Sequence, residues 1–235
     1  MIISLLLAVL LSAAQASPQA PSPVEMMTYQ MVLLKKGPNA PPAAPAAQKK
    51  MHDRHLAKLA NLNRKRINLL YGPVTAPADL QGIAILAVGS AAEAKQLFAS
   101  DPFVKAGVMI ADVRPWMGPK DWFHAPASYD VMNPAALEPL VLGFLVRASN
   151  APPQDAAQAG EIQKGHLAYM ERLHAQGTLV VAGPFADEGP SRGLVIYRVK
   201  DVAAAKALAA EDPAVKAGRL VLEAYPWMTF KGILK

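Results

Sequence analysis

Two histidine–aspartate pairs in this 235-residue sequence share one spacing: His55 precedes Asp101 by the same interval as His166 precedes Asp212. Histidine ordinarily titrates near pH 6.5, so it can take and return a proton around neutrality. A carboxylate on one ring nitrogen fixes the tautomer and makes the other nitrogen more basic. Each pair therefore has the parts for general acid–base chemistry on a small molecule. The same residues have a structural reading, because a buried imidazole needs a partner for its N–H in any case. An aspartate directly before proline is also a natural helix cap. The two readings are compatible, since one carboxylate oxygen can cap while the other meets an imidazole.

The elements that must hold these residues follow from the spacing around them. Met51, His55, Leu59 and Leu62 recur at helical intervals, as do Ile162, His166, Met170 and Leu173. Such a stripe is the face a helix turns toward its core, so helices are expected over about 45–66 and 155–176. The aspartates head the phrases DPFVKAG (101–107) and DPAVKAG (212–218). Proline pushes its predecessor out of the helical region. A helix should therefore end just before each aspartate, and Asp-Pro should open a further turn closed by Gly107 or Gly218.

The recurrence extends well beyond these phrases. An offset of 111 residues aligns 29–117 with 140–228 without a gap, with 29 identities in 89 positions. The chain is thus a duplicated domain, and two copies make a pair rather than a solenoid. In each copy an apolar strand (Met31–Leu34, Leu142–Val146) leads into the histidine helix. Two strands separated by a Gly-Pro turn follow, then an alanine-rich helix capped by Ser90 or Asp201, then a last strand ending in Pro-Trp-Met.

The order βαββαβ is that of a ferredoxin-like unit. Its third strand, GIAILAV or GLVIYRV, is apolar on both faces, and helices can cover only one. The other copy is the natural cover. The expected fold class is α+β: two ferredoxin-like repeats packed sheet to sheet as an intramolecular pseudo-dimer.

The segments HLAKLANL and HLAYMERLHAQGTLVVAGP, with the Asp-Pro-x-Val-x-Ala-Gly phrase and the Pro-aromatic ending, resemble the YCII-related (YciI-like) domain family. The resemblance covers 29–117 and 140–228 and is closer in the second copy. It implies a dimeric α+β barrel. It also brings in a chlorinated hydroxyhydroquinone dehydrochlorinase and, more distantly, muconolactone isomerase, hence lyase- or isomerase-type chemistry. By resemblance the site pairs the helix histidine with the Asp-Pro aspartate, here His166 with Asp212 and His55 with Asp101. The first copy departs from the pattern in NLNRKRINLLYGP, after its helix. The alternative is a non-catalytic binding or structural barrel in which both pairs only pack and cap.

Trp116 and Trp227 stand behind prolines at strand ends, where they could wall a pocket for a flat ligand or pack at the barrel rim. His52 and His55 lie one helical turn apart, but Gln163 replaces His52 in the other copy and no acidic cluster accompanies them, so no metal is expected. No cofactor motif is present either. His124 and His174 have no counterparts.

With no cysteine, disulfides and thiol chemistry are excluded. The apolar run Ile2–Leu11 before Ala14-Gln15-Ala16 suits a signal peptide cut after Ala16, although no Lys or Arg precedes it. The expected organisation is signal peptide 1–16, linker 17–28, repeat 29–117, linker 118–139, repeat 140–228 and tail 229–235. The mature chain is expected in the periplasm or outside the cell, without a membrane span. It should be a monomer with an internal pseudo-dimer, further oligomerisation being open. A small molecule is the expected partner.

The net charge of +6 concentrates between Lys35 and Arg66. That segment reads as a solvated helix face, or as a polyanion-binding patch. The aromatic–basic interleaving of nucleic-acid binders is missing, so no nucleic-acid partner is expected.

Overall fold

The computed structural model describes residues 25–120, 122–123 and 133–234. The expected signal peptide, its cleavage point and His124 lie outside the described residues. The first copy runs β1 (Met26–Lys36), α1 (Pro45–Arg64), β2 (Asn68–Pro73), β3 (Leu80–Leu86), α2 (Ala91–Ala99), α3 (Pro102–Lys105) and β4 (Met109–Pro119). A 3-10 turn at Pro134–Ala136 leads into the second copy. It runs β5 (Leu137–Arg147), α4 (Ala156–Ala175), β6 (Leu179–Pro184), β7 (Ser191–Tyr197), α5 (Val202–Ala210), α6 (Pro213–Lys216) and β8 (Leu220–Phe230).

Each copy folds into one antiparallel sheet, ordered β2-β3-β1-β4 or β6-β7-β5-β8. These are the expected ferredoxin-like units. The outer elements are longer than expected: β1 starts at Met26, inside the expected linker, and β8 runs to Phe230, inside the expected tail. Pro115 and Pro226 do not stop β4 and β8, because both are sheet-edge strands, where a missing N–H is tolerated. Beyond β8, Ile233 and Leu234 are buried in the core.

Strand alternation sorts side chains between two cores. On β5, Leu140, Leu142 and Phe144 join the core shared by both copies, whereas Val141 and Leu145 join a separate core beneath α4 and α5. The shared core also takes Tyr29, Met31 and Leu33 of β1. The two apolar sheet faces thus cover each other, as the sequence demanded.

The sheets are also joined through their edges. Val74 bridges to Trp227 and Trp116 to Phe185, each beyond the Gly-Pro end of a short edge strand. The Thr75 N–H donates to Pro226 O at 2.9 Å, and the Ala186 N–H to Pro115 O at 2.9 Å. Between the copies, Arg114 Nε donates to Asp187 Oδ2 at 2.8 Å and Nη2 to Oδ1, while its guanidinium lies 3.9 Å from the Phe185 ring centroid. This bidentate hold keeps the Asp187 carboxyl below the usual carboxylate range, against the opposing effect of partial burial.

Candidate functional site

The histidine helices differ in their starts but deliver the same residue. Asp155 caps α4 through a reciprocal box with Gln158, whereas α1 begins on Pro45 with no side-chain cap. Their ends meet one geometric demand, a left-handed residue. Gly177 supplies it after α4 at φ 70°, but Arg66 must adopt φ 56° after α1. Arg66 lies inside the segment that departs from the family pattern.

On these helices His55 and His166 face the two Asp-Pro corners. His55 Nδ1 lies 2.7 Å from Asp101 Oδ2, and His166 Nδ1 lies 2.7 Å from Asp212 Oδ2. The second oxygen of each carboxylate caps the following turn, accepting from the Phe103 N–H at 3.0 Å or the Ala214 N–H at 2.8 Å. Both aspartates are fully enclosed, at 0% exposure. Each carboxylate is thus held at both oxygens. An ionised carboxylate only accepts, so with the aspartates in that form each Nδ1 would be the donor and each Nε2 the free acceptor.

The surroundings of the two pairs differ. His166 stands in the wall of a cavity of about 660 Å³ between α4 and the second sheet, together with Gln163, Met170, Ala182 and Ala214. At the position equivalent to Ala214, the first copy has Phe103, whose ring lies edge-on to His55 with centroids 5.3 Å apart. Tyr71 stands at the position equivalent to Ala182. Beneath α4, Tyr197 is fully buried; burial, with the Asp212 charge adding to it, pushes its phenol pKa far up and keeps it neutral. Near Asp101, burial lowers the Lys58 pKa, an effect the Asp101 charge opposes.

The tryptophans stand elsewhere. Trp116 and Trp227 are buried between the copies and line no part of the cavity. Of the two readings, pocket wall or packing at the barrel rim, both indoles take packing positions, because the long β4 and β8 carry each onto the other copy's Gly-Pro strand. Trp116 Nε1 donates to Gly183 O at 2.9 Å. A Cβ on Gly72 would come within 2.8 Å of the Trp227 ring, and one on Gly183 within 2.9 Å of Trp116. His174 stacks on Trp122 at 4.4 Å, with its Nδ1 3.0 Å from Leu179 O. Among the described residues there is no cluster of potential metal ligands, and no helix is long and apolar enough to cross a membrane.

Sequence reasoning missed Arg147, Arg192 and Arg219, which line the cavity from β5, β7 and the turn before β8. Their scatter along the chain hides them, since only the folded sheet brings these three elements to one space. The one available signal lay between the copies: the equivalent residues are Lys36, Gln81 and Val108.

The YCII-related domain matches residues 27–117 and again 144–231. The chain belongs to the YCII-related family. Among solved structures, a provisionally named chlorite dismutase superposes with a TM-score of 0.54 at 12% identity, covering 89% of this chain and 94% of its own. A provisionally named monooxygenase from Lactobacillus acidophilus NCFM gives 0.47 at 11% identity, covering 88% and 99%. The 5-chloro-2-hydroxyhydroquinone dehydrochlorinase of Burkholderia phenoliruptrix AC1100, solved with 2,5-dihydroxybenzoquinone, gives 0.27 at 21% identity, covering 36% and 89%. The first of these shares the two-repeat α+β barrel fold with this YCII-related chain. Comparison with curated proteins gave no match.

Proposed function

We propose that this YCII-related protein is an exported barrel that binds a small molecule beside His166 and moves a proton on it, as a lyase or isomerase does. The observation that carries the reading is the imidazole held 2.7 Å from Asp212 at the wall of the large cavity. His166 Nε2 takes a proton from a C–H or O–H of the bound molecule and returns it to a second atom or to the leaving group. Asp212 stays ionised, fixes the tautomer and stabilises the imidazolium that forms between the two transfers. The full burial of Asp212 keeps water from competing for its hydrogen bond to His166.

A second reading rests on the first copy, where the same pair persists beneath Phe103. There His55 and Asp101 tie the helix to the corner, a structural role that needs no ligand. Catalysis belongs to the second copy in this proposal, and tethering to both.

A panel of small phenols and lactones, incubated with the protein in D2O, tests the reading. At least one should bind and take up deuterium at a carbon, with the rate falling about 100-fold or more in His166→Gln. Uptake unchanged by that substitution would contradict the proposal.

A further inference from the structure

The cavity beside His166 is unusual in its charge. Arg147, Arg192 and Arg219 all line it, and among the described residues no aspartate or glutamate does. Arg192 is the least free of the three: one of its Nη atoms reaches Asp187 O at 3.5 Å, and its charge helps lower the Asp187 pKa. Arg219 gives one Nη1 hydrogen bond, 3.2 Å to Ala159 O on α4, which neutralises nothing. Among the described residues, neither Arg147 nor Arg219 has a carboxylate partner.

Duplication supplies the second line of argument. Residues needed to build the fold persist in both copies, as the tryptophans do, and the His–Asp pairs persist with the tethering role both copies share. The arginines do not: Lys36, Gln81 and Val108 take their places in the copy whose histidine lies against Phe103. At these three positions the second copy thus carries three positive charges and the first copy only that of Lys36. A guanidinium presents parallel N–H donors that match a carboxylate, and uncompensated charge in a recess attracts anions more strongly than on an open surface. Arginine beside a general base also suits the chemistry, since removing a proton leaves an anion to be stabilised.

We propose that the cavity selects small organic anions, carboxylates in particular, with Arg147 and Arg219 holding the carboxylate while His166 meets the reacting atom. This inference rests on the reading of the cavity as a ligand site, but its test separates the two. Benzoate and benzamide, matched in size and differing in charge, are titrated into the full-length protein while the His166 ring signals are followed by NMR. Benzoate should bind about tenfold or more tightly than benzamide, and added salt should weaken it selectively. In Arg147→Ala/Arg219→Ala the preference should fall to near unity, whereas Arg147→Lys/Arg219→Lys should keep part of it. Circular dichroism confirms that each variant is folded.

Equal binding of both probes, with His166 perturbed, would overturn the anion claim and leave the ligand site standing. A preference that survives the double alanine substitution would overturn it too, by placing the charge recognition elsewhere. Failure of both probes to bind at about 10 mM, weaker than an ordinary metabolite site, would overturn it as well. Deuterium uptake with the uncharged phenols and lactones would then judge the proton-transfer reading by itself.

Discussion

Phe103 lies edge-on against His55, with ring centroids 5.3 Å apart, where the other copy offers His166 only the methyl of Ala214. Two His–Asp pairs of equal geometry are thus set in unequal surroundings. The two imidazoles are about equally exposed, at 11% and 14%, so the difference lies in their neighbours, Phe103 and Tyr71 in one copy and Ala214 and Ala182 in the other.

Exchanging these residues should exchange the behaviour of the two copies. Phe103→Ala should expose His55 to small ligands at a cost of about 1–2 kcal/mol, less than for a fully buried phenylalanine because Phe103 is half-buried. Ala214→Phe should abolish ligand binding at His166. Titrations with whichever phenol or lactone binds the natural protein, alongside thermal melts, check both.

The Asp212 carboxylate should matter more for chemistry than for stability. Asp212→Asn keeps an oxygen to cap the Ala214 N–H but can present an amide N–H to His166 Nδ1, forcing the proton onto Nε2. Proton transfer should fall about 100-fold or more while the melting temperature changes by a few degrees at most. Equal losses in Asp212→Asn and in the Asp101→Asn control would make the pair structural in both copies.

Arg66 is a site of stored strain. It occupies the left-handed region at φ 56°, where the second copy has Gly177. Arg66→Gly should stabilise the protein by about 1 kcal/mol, or about 2–4 °C in melting temperature for a chain of this size. A neutral or destabilising result would mean that the arginine side chain supplies a compensating interaction.

The clamp between Arg114 and Asp187 should make the joint between the copies sensitive to acid. The folded-state pKa of Asp187 is lowered, chiefly by its hydrogen bonds from Arg114. Its contribution is therefore complete above the unfolded value, near pH 4, and disappears as pH falls through the lower folded value. The difference in stability between the natural protein and Asp187→Asn should be about 1 kcal/mol near pH 7, limited by solvent screening. It should shrink below about pH 4. Melting temperatures across pH 3–7 measure it; a constant gap would exclude ionisation as the cause.

Much of the fold was legible because duplication printed it twice. The stripes through His55 and His166, the Asp-Pro corners and the two-faced third strands each had a second copy to confirm them. The His–Asp pairing was legible by resemblance and by equal spacing. Other features were hidden for physical reasons. Strand ends depend on pairing partners, so the run of β4 and β8 past Pro115 and Pro226 could not be read locally, nor could the choice between pocket wall and rim packing for the tryptophans. The arginines of the cavity converge from two separate strands and the turn before a third. Phe103 was in plain view, but identities between copies mark what the fold requires, whereas the functional asymmetry lies in the differences.

The most direct test of two tethered pairs, only one of them open, is the long-range nitrogen–proton NMR correlation of the imidazole rings, recorded with and without a bound ligand. The expected result is a protonated Nδ1 and bare Nε2 at both His55 and His166, with ligand-induced shifts at His166 alone. Equal shifts at both rings, or a proton on His166 Nε2 in the free protein, would contradict it.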